Sequence, residues 1–306
     1  MTSETESIIS LAKSKRNLSR KNTSQVFGYA LVWLCGIIAL AMVFWIIGYV
    51  LTQGLPVINL EFLTTRPAGG VSGEGGMSTT IVTTLYLVIL TIVIATPLGV
   101  GAAIYLVEYA DESSRGNKFL GLLVKAARTG VEILAGVPSI IFGLFGFALF
   151  VLYMKLGFSL LSASLSGAAL VLPTIIRTSE EALKTVPRSF REGSLSLGAT
   201  KWHTIFNIVL PTALPGIVTG VVLSVGRIIA ETAIFWVTLG GSYFLPETIM
   251  NSGRTMALHV YMLASETRAF DKAMGTASIL IITIVILNLT INILSRRLTA
   301  RFTGKS

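Results

Sequence analysis

Charge is scarce in this chain. Of 306 residues only 13% are Asp, Glu, Lys or Arg, while 53% are hydrophobic; an ordinary soluble domain carries about 25% charged residues. A fold surrounded by water would lack the charge to cover its surface, whereas one surrounded by hydrocarbon has no such need. The mean hydropathy of +0.77 agrees. Cysteine is almost missing. Cys35 stands alone in an apolar run, so it forms no internal disulfide, has no metal-ligating company, and reads as a small buried hydrophobe. The two histidines, His203 and His259, are far apart and fall on opposite expected sides of the membrane, which argues against a zinc site. No Ser/His/Asp set or other nucleophile constellation occurs, so the chain reads as non-catalytic, without metal or cofactor. Gly304-Lys305-Ser306 has the last three residues of a phosphate-binding loop, but Thr299 stands where the first glycine belongs.

What charge there is has a net of +9. Lys and Arg gather in short segments between apolar runs rather than along one face, which excludes nucleic acid as the reason for the basicity. The apolar runs are long. A hydrocarbon core of about 30 Å takes roughly 20 helical residues, and the stretches at about 26–51, 78–107, 131–152, 159–176, 212–239 and 274–294 meet or approach that length. The fourth is the shortest. The first is too long for a cleaved leader and is expected to be retained. The expected architecture is therefore an all-α integral membrane protein with about six transmembrane helices. Residues 1–25 and 296–306 form tails around a membrane domain at 26–295.

Charge placement sets the expected orientation. The N-terminal tail carries Lys13, Lys15, Arg16, Arg20 and Lys21, and the second connection Arg115, Lys118, Lys125 and Arg128. The fourth connection carries Arg177, Lys184, Arg188, Arg191 and Lys201, and the C-terminal tail Arg296, Arg297, Arg301 and Lys305. The other side holds Arg66, Lys155, Arg254, Arg268 and Lys272. Both termini are expected in the cytoplasm. Pro97 with Gly99 and Gly101 is expected to break the second span, and Gly136, Pro138, Gly143 and Gly146 to punctuate the third. Bundle packing alone accounts for such residues, while bending around a gated path is the functional alternative.

The connection at 177–211 is more than a tether. Residues 179–185 favour helix, Pro187 restarts the chain, 190–197 are helix-compatible, Gly198 permits a sharp turn, and 202–210 read as helix ending at Pro211. A helix–turn–helix of this kind makes a short knob suited to a groove on a partner. Its spacing matches a signature: Glu192-Gly193-Ser194, three residues, Gly198, nine residues, then Ile208-Val209-Leu210-Pro211. This resembles the Glu-Ala-Ala loop of bacterial ABC importer permeases, with Gly193 and Ser194 in place of two alanines. The resemblance implies a type I importer permease architecture in which a cytoplasmic coupling helix docks on a separate ATPase subunit.

Three further segments, residues 96–109 ending in Glu108-Tyr109, 136–146 from Gly136 to Gly146, and 226–233 from Gly226 to Ala233, are similar to the phosphate importer permeases. The Gly-rich loop Arg66-Pro67-Ala68-Gly69-Gly70 and the Glu108-Tyr109 end of the second span favour the PstA branch over the paralogous PstC branch. What the resemblance implies is a PstC-like second permease, a dimer of PstB-like ATPase subunits, a PstS-like outer phosphate-binding protein, inorganic phosphate as substrate and the bacterial or archaeal cytoplasmic membrane as location. Sulfate or molybdate permeases are the chemical neighbours. An ATP-independent secondary transporter would leave the docking signature unexplained.

Inside the fifth span Arg227 is expected near the centre with Glu231 one turn later, on one helix face where each tempers the other. An ionisable side chain at the bilayer centre costs about 2.5–3.5 kcal/mol on insertion scales and is tolerated where it meets a wet path or a bundle interior. Arginine presents fixed donors matched to a tetrahedral oxyanion, and a nearby carboxylate would keep the anion from being trapped. The resemblance implies the same substrate-pathway role for Arg227 and Glu231. A structural ion pair is the alternative. Glu108 and Glu132 read as wet carboxylates at span ends, and Arg177 and Glu180 as interfacial anchors or partners of the docking loop.

Overall fold

In a computed structural model the backbone is described for residues 2–68, 73–110 and 118–303, and the side chains for residues 25–68, 73–110 and 118–293. Gly69 and Gly70 of the Gly-rich loop, Arg115, and the side chains of Lys13, Lys15, Arg16, Arg20, Lys21, Arg296, Arg297 and Arg301 lie outside them, as does Lys305. The described residues are helical apart from connections and two isolated bridges, Pro67 with Gly75 and Gly240 with Gly253.

The chain divides into Met1–Thr52 and Gln53–Ser306. The first unit is nearly all of α1 (Thr2–Gly54), whose apolar side chains are exposed from Val26 through Ile46. Cys35 is among the exposed residues. It is therefore not the buried hydrophobe expected: a helix meant for lipid meets its apolar surroundings outside the protein.

In the second unit, α2 (Leu60–Thr64) precedes α3 (Ser78–Ile104), which continues through a wide π turn at Tyr105–Tyr109. Pro97 lies inside α3 and does not end it. The break comes in the next span. α4 (Lys118–Ala135) and α5 (Ser139–Gly146, extended by a π turn at Phe147–Tyr153) meet at an angle of 109° across Gly136-Val137-Pro138. Pro138 cannot donate a helical hydrogen bond, and the residue before a proline is pushed out of helical geometry. One expected span is thus a bent pair. Among the described residues five helices are long and apolar enough to cross a membrane, or six if the bent pair counts as one span.

The middle of the bundle is α6 (Leu160–Thr185), which packs against α3 and α9 (Leu210–Ala230). It begins at a serine cap, with the Ser159 hydroxyl accepting from the Ser162 N–H at 3.2 Å. Leu170, Val171 and Ile175 of α6 share a buried cluster with Leu87 of α3 and with Val225, Ile228 and Ile229 of α9. Small residues let these helices close up. A methyl added to Gly99 would run into Ile175, and one added to Gly220 would run into the Thr178 side chain. After α9, the short α10 (Ala233–Thr238) turns back against α5, where Gly143 meets Ile234. α11 (Met256–Glu266) and α12 (Phe270–Thr303) complete the unit.

Candidate functional site

The 177–211 connection forms a two-armed knob. One arm is α7 (Arg188–Ser196). The other is α8 (Lys201–Thr204), which runs through a π turn at Ile205–Val209 into α9. Gly198 joins the arms at φ +85°, the left-handed geometry that glycine adopts without steric cost. Thr200 caps the second arm, its hydroxyl accepting from the His203 N–H at 3.3 Å. The arms are clasped by a buried hydrogen bond of 2.8 Å between the Ser194 and Thr204 hydroxyls. This gives the serine at the second alanine position of the signature a purpose that alanine could not serve.

The helix does not end at Pro211, as the sequence suggested. Pro211 sits in the first turn of α9, directly after the π turn. Proline has no N–H to give and its ring crowds the carbonyl four residues back. A wide turn just before it accommodates both, with the Leu210 N–H reaching the Ile205 carbonyl. Ile208 lies in that turn and Leu210 opens α9. Glu192 and Gly193 are exposed on α7.

The tip is apolar and bare. Leu197 is 90% exposed, and Phe190, Leu195 and Trp202 are exposed around it, with Trp202 packed on Phe206 at 4.1 Å between ring centroids. Leu197 is not a signature residue, and sequence reading passed over it; its place next to the Gly198 turn was the available signal.

The knob is held to the bundle by charge. Arg191 of α7 reaches Glu108 in the π turn after α3, with Nη2 to Oε1 at 2.7 Å and Nε to Oε1 at 3.0 Å. The same guanidinium donates to the Val186 carbonyl at 2.7 Å and the Leu183 carbonyl at 2.9 Å. Both carbonyls lie at the C-terminal end of α6, where helical acceptors run out of partners further along the chain; that of Leu183 also accepts the Val186 N–H at 3.4 Å. Beside the pair, Lys201 stands over the Tyr109 ring at 4.7 Å. Glu108 is therefore not a wet carboxylate; its side chain is only 8% exposed. Sequence reading missed this pair because 83 residues separate its members. Glu180 receives Lys184 at 2.7 Å and Arg128 of α4 at 3.5 Å, tying α4 to α6. Arg177 pairs with Glu181 at the exposed surface.

Arg227 lies in the last turn of α9 rather than at the middle of a span. α9 ends at Ala230, and Glu231 is extended at φ −75°, ψ 132°. The two therefore do not stack one turn apart on a continuous helix, and among the described residues no ion pair joins them. The break turns the chain into α10, whose Ile234, Phe235 and Leu239 are buried. Arg227 is exposed and Glu231 half-buried. Leu223, Arg227 and Ala230 form the exposed face of α9, opposite the buried Val225, Ile228 and Ile229. A cation at a helix C-terminus also meets the negative end of the helix dipole.

Residues 95–304 match the model of the binding-protein-dependent transport system inner membrane component family. A probable ABC transporter permease protein of Bacillus subtilis, YqgI, is 29% identical over 290 residues, covering 90% of this chain and 94% of that protein. The phosphate transport system permease protein PstA 1 of Mycobacterium tuberculosis H37Rv is 32% identical over 259 residues, covering 83% and 81%. PstA of Pasteurella multocida is 30% identical over 280 residues, covering 91% and 92%. Among solved structures, a chain of the MetNI methionine ABC transporter in an inward facing conformation shares the fold, with a TM-score of 0.55, 20% identity, and coverage of 72% of this chain and 93% of that one. A matched sequence family, relatives aligned over most of their length and a shared helical fold agree: the chain is a multi-pass membrane protein that belongs to the binding-protein-dependent transport system inner membrane components and, within them, to the PstA-type permeases.

Proposed function

We propose that this chain is one of the two membrane-spanning permeases of an ATP-driven importer of inorganic phosphate. The observation that carries the importer reading is the knob. It is a preorganised helix–turn–helix with a bare apolar tip, clasped within itself and pinned by Arg191 to the ends of α3 and α6. A segment so exposed and yet so firmly held is built to receive force from a partner, and the partner is a PstB-like ATPase dimer. The chain itself hydrolyses nothing. The PstA relatives support phosphate as the cargo, a PstC-like permease as the other half of the path, and a PstS-like binding protein as the donor. The distribution of basic segments supports a cytoplasmic knob and cytoplasmic termini.

In this reading the exposed face of α9 borders the path, and the second permease supplies the opposite wall. Arg227, without an ion-pair partner among the described residues, meets the passing anion. Glu231, at the break between α9 and α10, limits how tightly that anion is held. Arg227→Gln keeps the polar stem and removes the charge. It is expected to abolish phosphate uptake while the assembled complex is still recovered with its partners. Uptake at the parent rate in that variant would remove Arg227 from the path.

A further inference from the structure

By sequence, the knob is attached to two helices only, α6 before it and α9 after it. Any push on the knob would reach them through the backbone. α3 is remote in the chain, yet its end is gripped by both arms. Arg191 of the first arm holds Glu108, and Lys201 of the second stands over Tyr109. The Arg191 guanidinium spends its other donors on the Leu183 and Val186 carbonyls at the end of α6. One planar side chain thus fixes three helices, α3, α6 and α7, at a single point. Its fork geometry and permanent charge suit that task in a way a lysine's single ammonium does not. The pair is largely shielded, with side-chain exposures of 19% for Arg191 and 8% for Glu108, so it is weakly screened by salt.

We propose that the Arg191–Glu108 pair is a transmission strut: it makes the end of α3 move with the docking knob, so that closure of the ATPase subunits is delivered to α3 directly as well as to α6 and α9. Both are positioning residues; neither touches substrate. The proposal rests on the docking role given to the knob above. α3 and α6 close on each other at Gly99 and Ile175, and α6 closes on α9 at Thr178 and Gly220. A displacement entering at Glu108 therefore runs through these close contacts to α9, which carries Arg227 on its exposed face about two turns beyond Gly220. Without the strut, the ATPase would still find its docking tip and still turn over, but α3 would lag.

The test uses the full complex in lipid nanodiscs. Cys35, the only cysteine, is replaced by serine, and spin labels are placed through Tyr105→Cys at the start of the π turn that continues α3 and Ser196→Cys on α7, both exposed positions. The label-to-label distance is read without nucleotide and with ATP trapped. In the parent a single narrow distance is expected in both states. With Arg191→Gln the distance should broaden and change with nucleotide. In vesicles that variant should retain ATP hydrolysis within about twofold of the parent while phosphate moved per ATP falls at least tenfold. The exchanged pair Glu108→Arg with Arg191→Glu should recover part of that ratio, which a merely structural lesion would not do. If Arg191→Gln fails to assemble, Arg191→Lys, which keeps the charge but not the fork, should give an intermediate distance spread and ratio. A parent distance that changes with nucleotide, or a variant that keeps both the narrow distance and the parent ratio, overturns the strut. Failure of the parent to carry phosphate would overturn the substrate instead, since the distance measurement does not depend on the cargo.

Discussion

Leu197→Ala tests whether the knob's tip is a docking surface. Leu197 is 90% exposed in the isolated chain. Its backbone is nevertheless fixed, with its N–H within 3.3 Å of the Gly193 carbonyl and 3.2 Å of the Ser194 carbonyl. The substitution removes no contact that the fold needs, so the stability of the permease should hold within about 0.5 kcal/mol, as for most surface changes. In the docking proposed above, the same side chain would enter an apolar groove on the ATPase. Burying a leucine fully is worth about 1.5–3 kcal/mol, and each 1.4 kcal/mol is roughly a tenfold change in affinity. The variant should therefore bind the ATPase subunit about 10- to 100-fold more weakly. Titrating the ATPase onto nanodisc-held permease, with binding followed by interferometry, reads that change directly. Glu247→Ala, an exposed position on the α10–α11 connection, serves as the control. An unchanged affinity for Leu197→Ala, with the permease intact, would refute the argument that the bare tip is a docking surface.

Gly220→Ala should cost about 1–3 kcal/mol through overpacking, because the new methyl meets the Thr178 side chain at the α6–α9 crossing. Thr178→Ala in the same chain should recover most of the loss, as read from thermal unfolding in detergent. His259 is held neutral: burial first, then the Arg254 and Lys272 charges, lower its pKa from 6.5 to about 3. Because the unfolded segment takes up the proton more readily, stability is full above about pH 6.5 and falls as the pH drops towards 3, by about 2 kcal/mol at pH 5. The thermal midpoint should therefore fall between pH 7.5 and pH 5, and His259→Gln should flatten that dependence.

The helical membrane architecture was legible because apolar run length is a direct consequence of bilayer thickness. Burial within the bundle was not. The stretch at 159–176 read as the shortest span, yet the helix containing it is the most deeply buried of the candidate spans, with 61% of its apolar window buried. Ser162, Ser164, Ser166 and Gly167 lower its apolarity and are the small residues that let neighbours approach. Hydropathy measures affinity for lipid, so a helix that faces protein is underrated by it. Prolines misled in both directions. Pro97 was read as a break within a span and Pro211 as a helix end, and the helices accommodate both, whereas the break at Gly136-Val137-Pro138 is sharper than punctuation by glycine and proline suggested. The spacing of the docking signature predicted the turn at Gly198. It could not show the grip of Arg191 on Glu108, since pairing across 83 residues is a property of the fold. Nor could a helical repeat reveal that the chain breaks at Glu231, which separates that carboxylate from the helical face of Arg227.

The central claim is that this chain carries inorganic phosphate when driven by a partner ATPase. Its most direct test is uptake of radiolabelled phosphate into vesicles that hold the chain with its second permease, ATPase and binding protein, with unlabelled phosphate, sulfate and molybdate as competitors. Uptake that needs ATP and is blocked by phosphate alone is the predicted result. Uptake displaced by sulfate or molybdate, or uptake that continues without the ATPase, would contradict it.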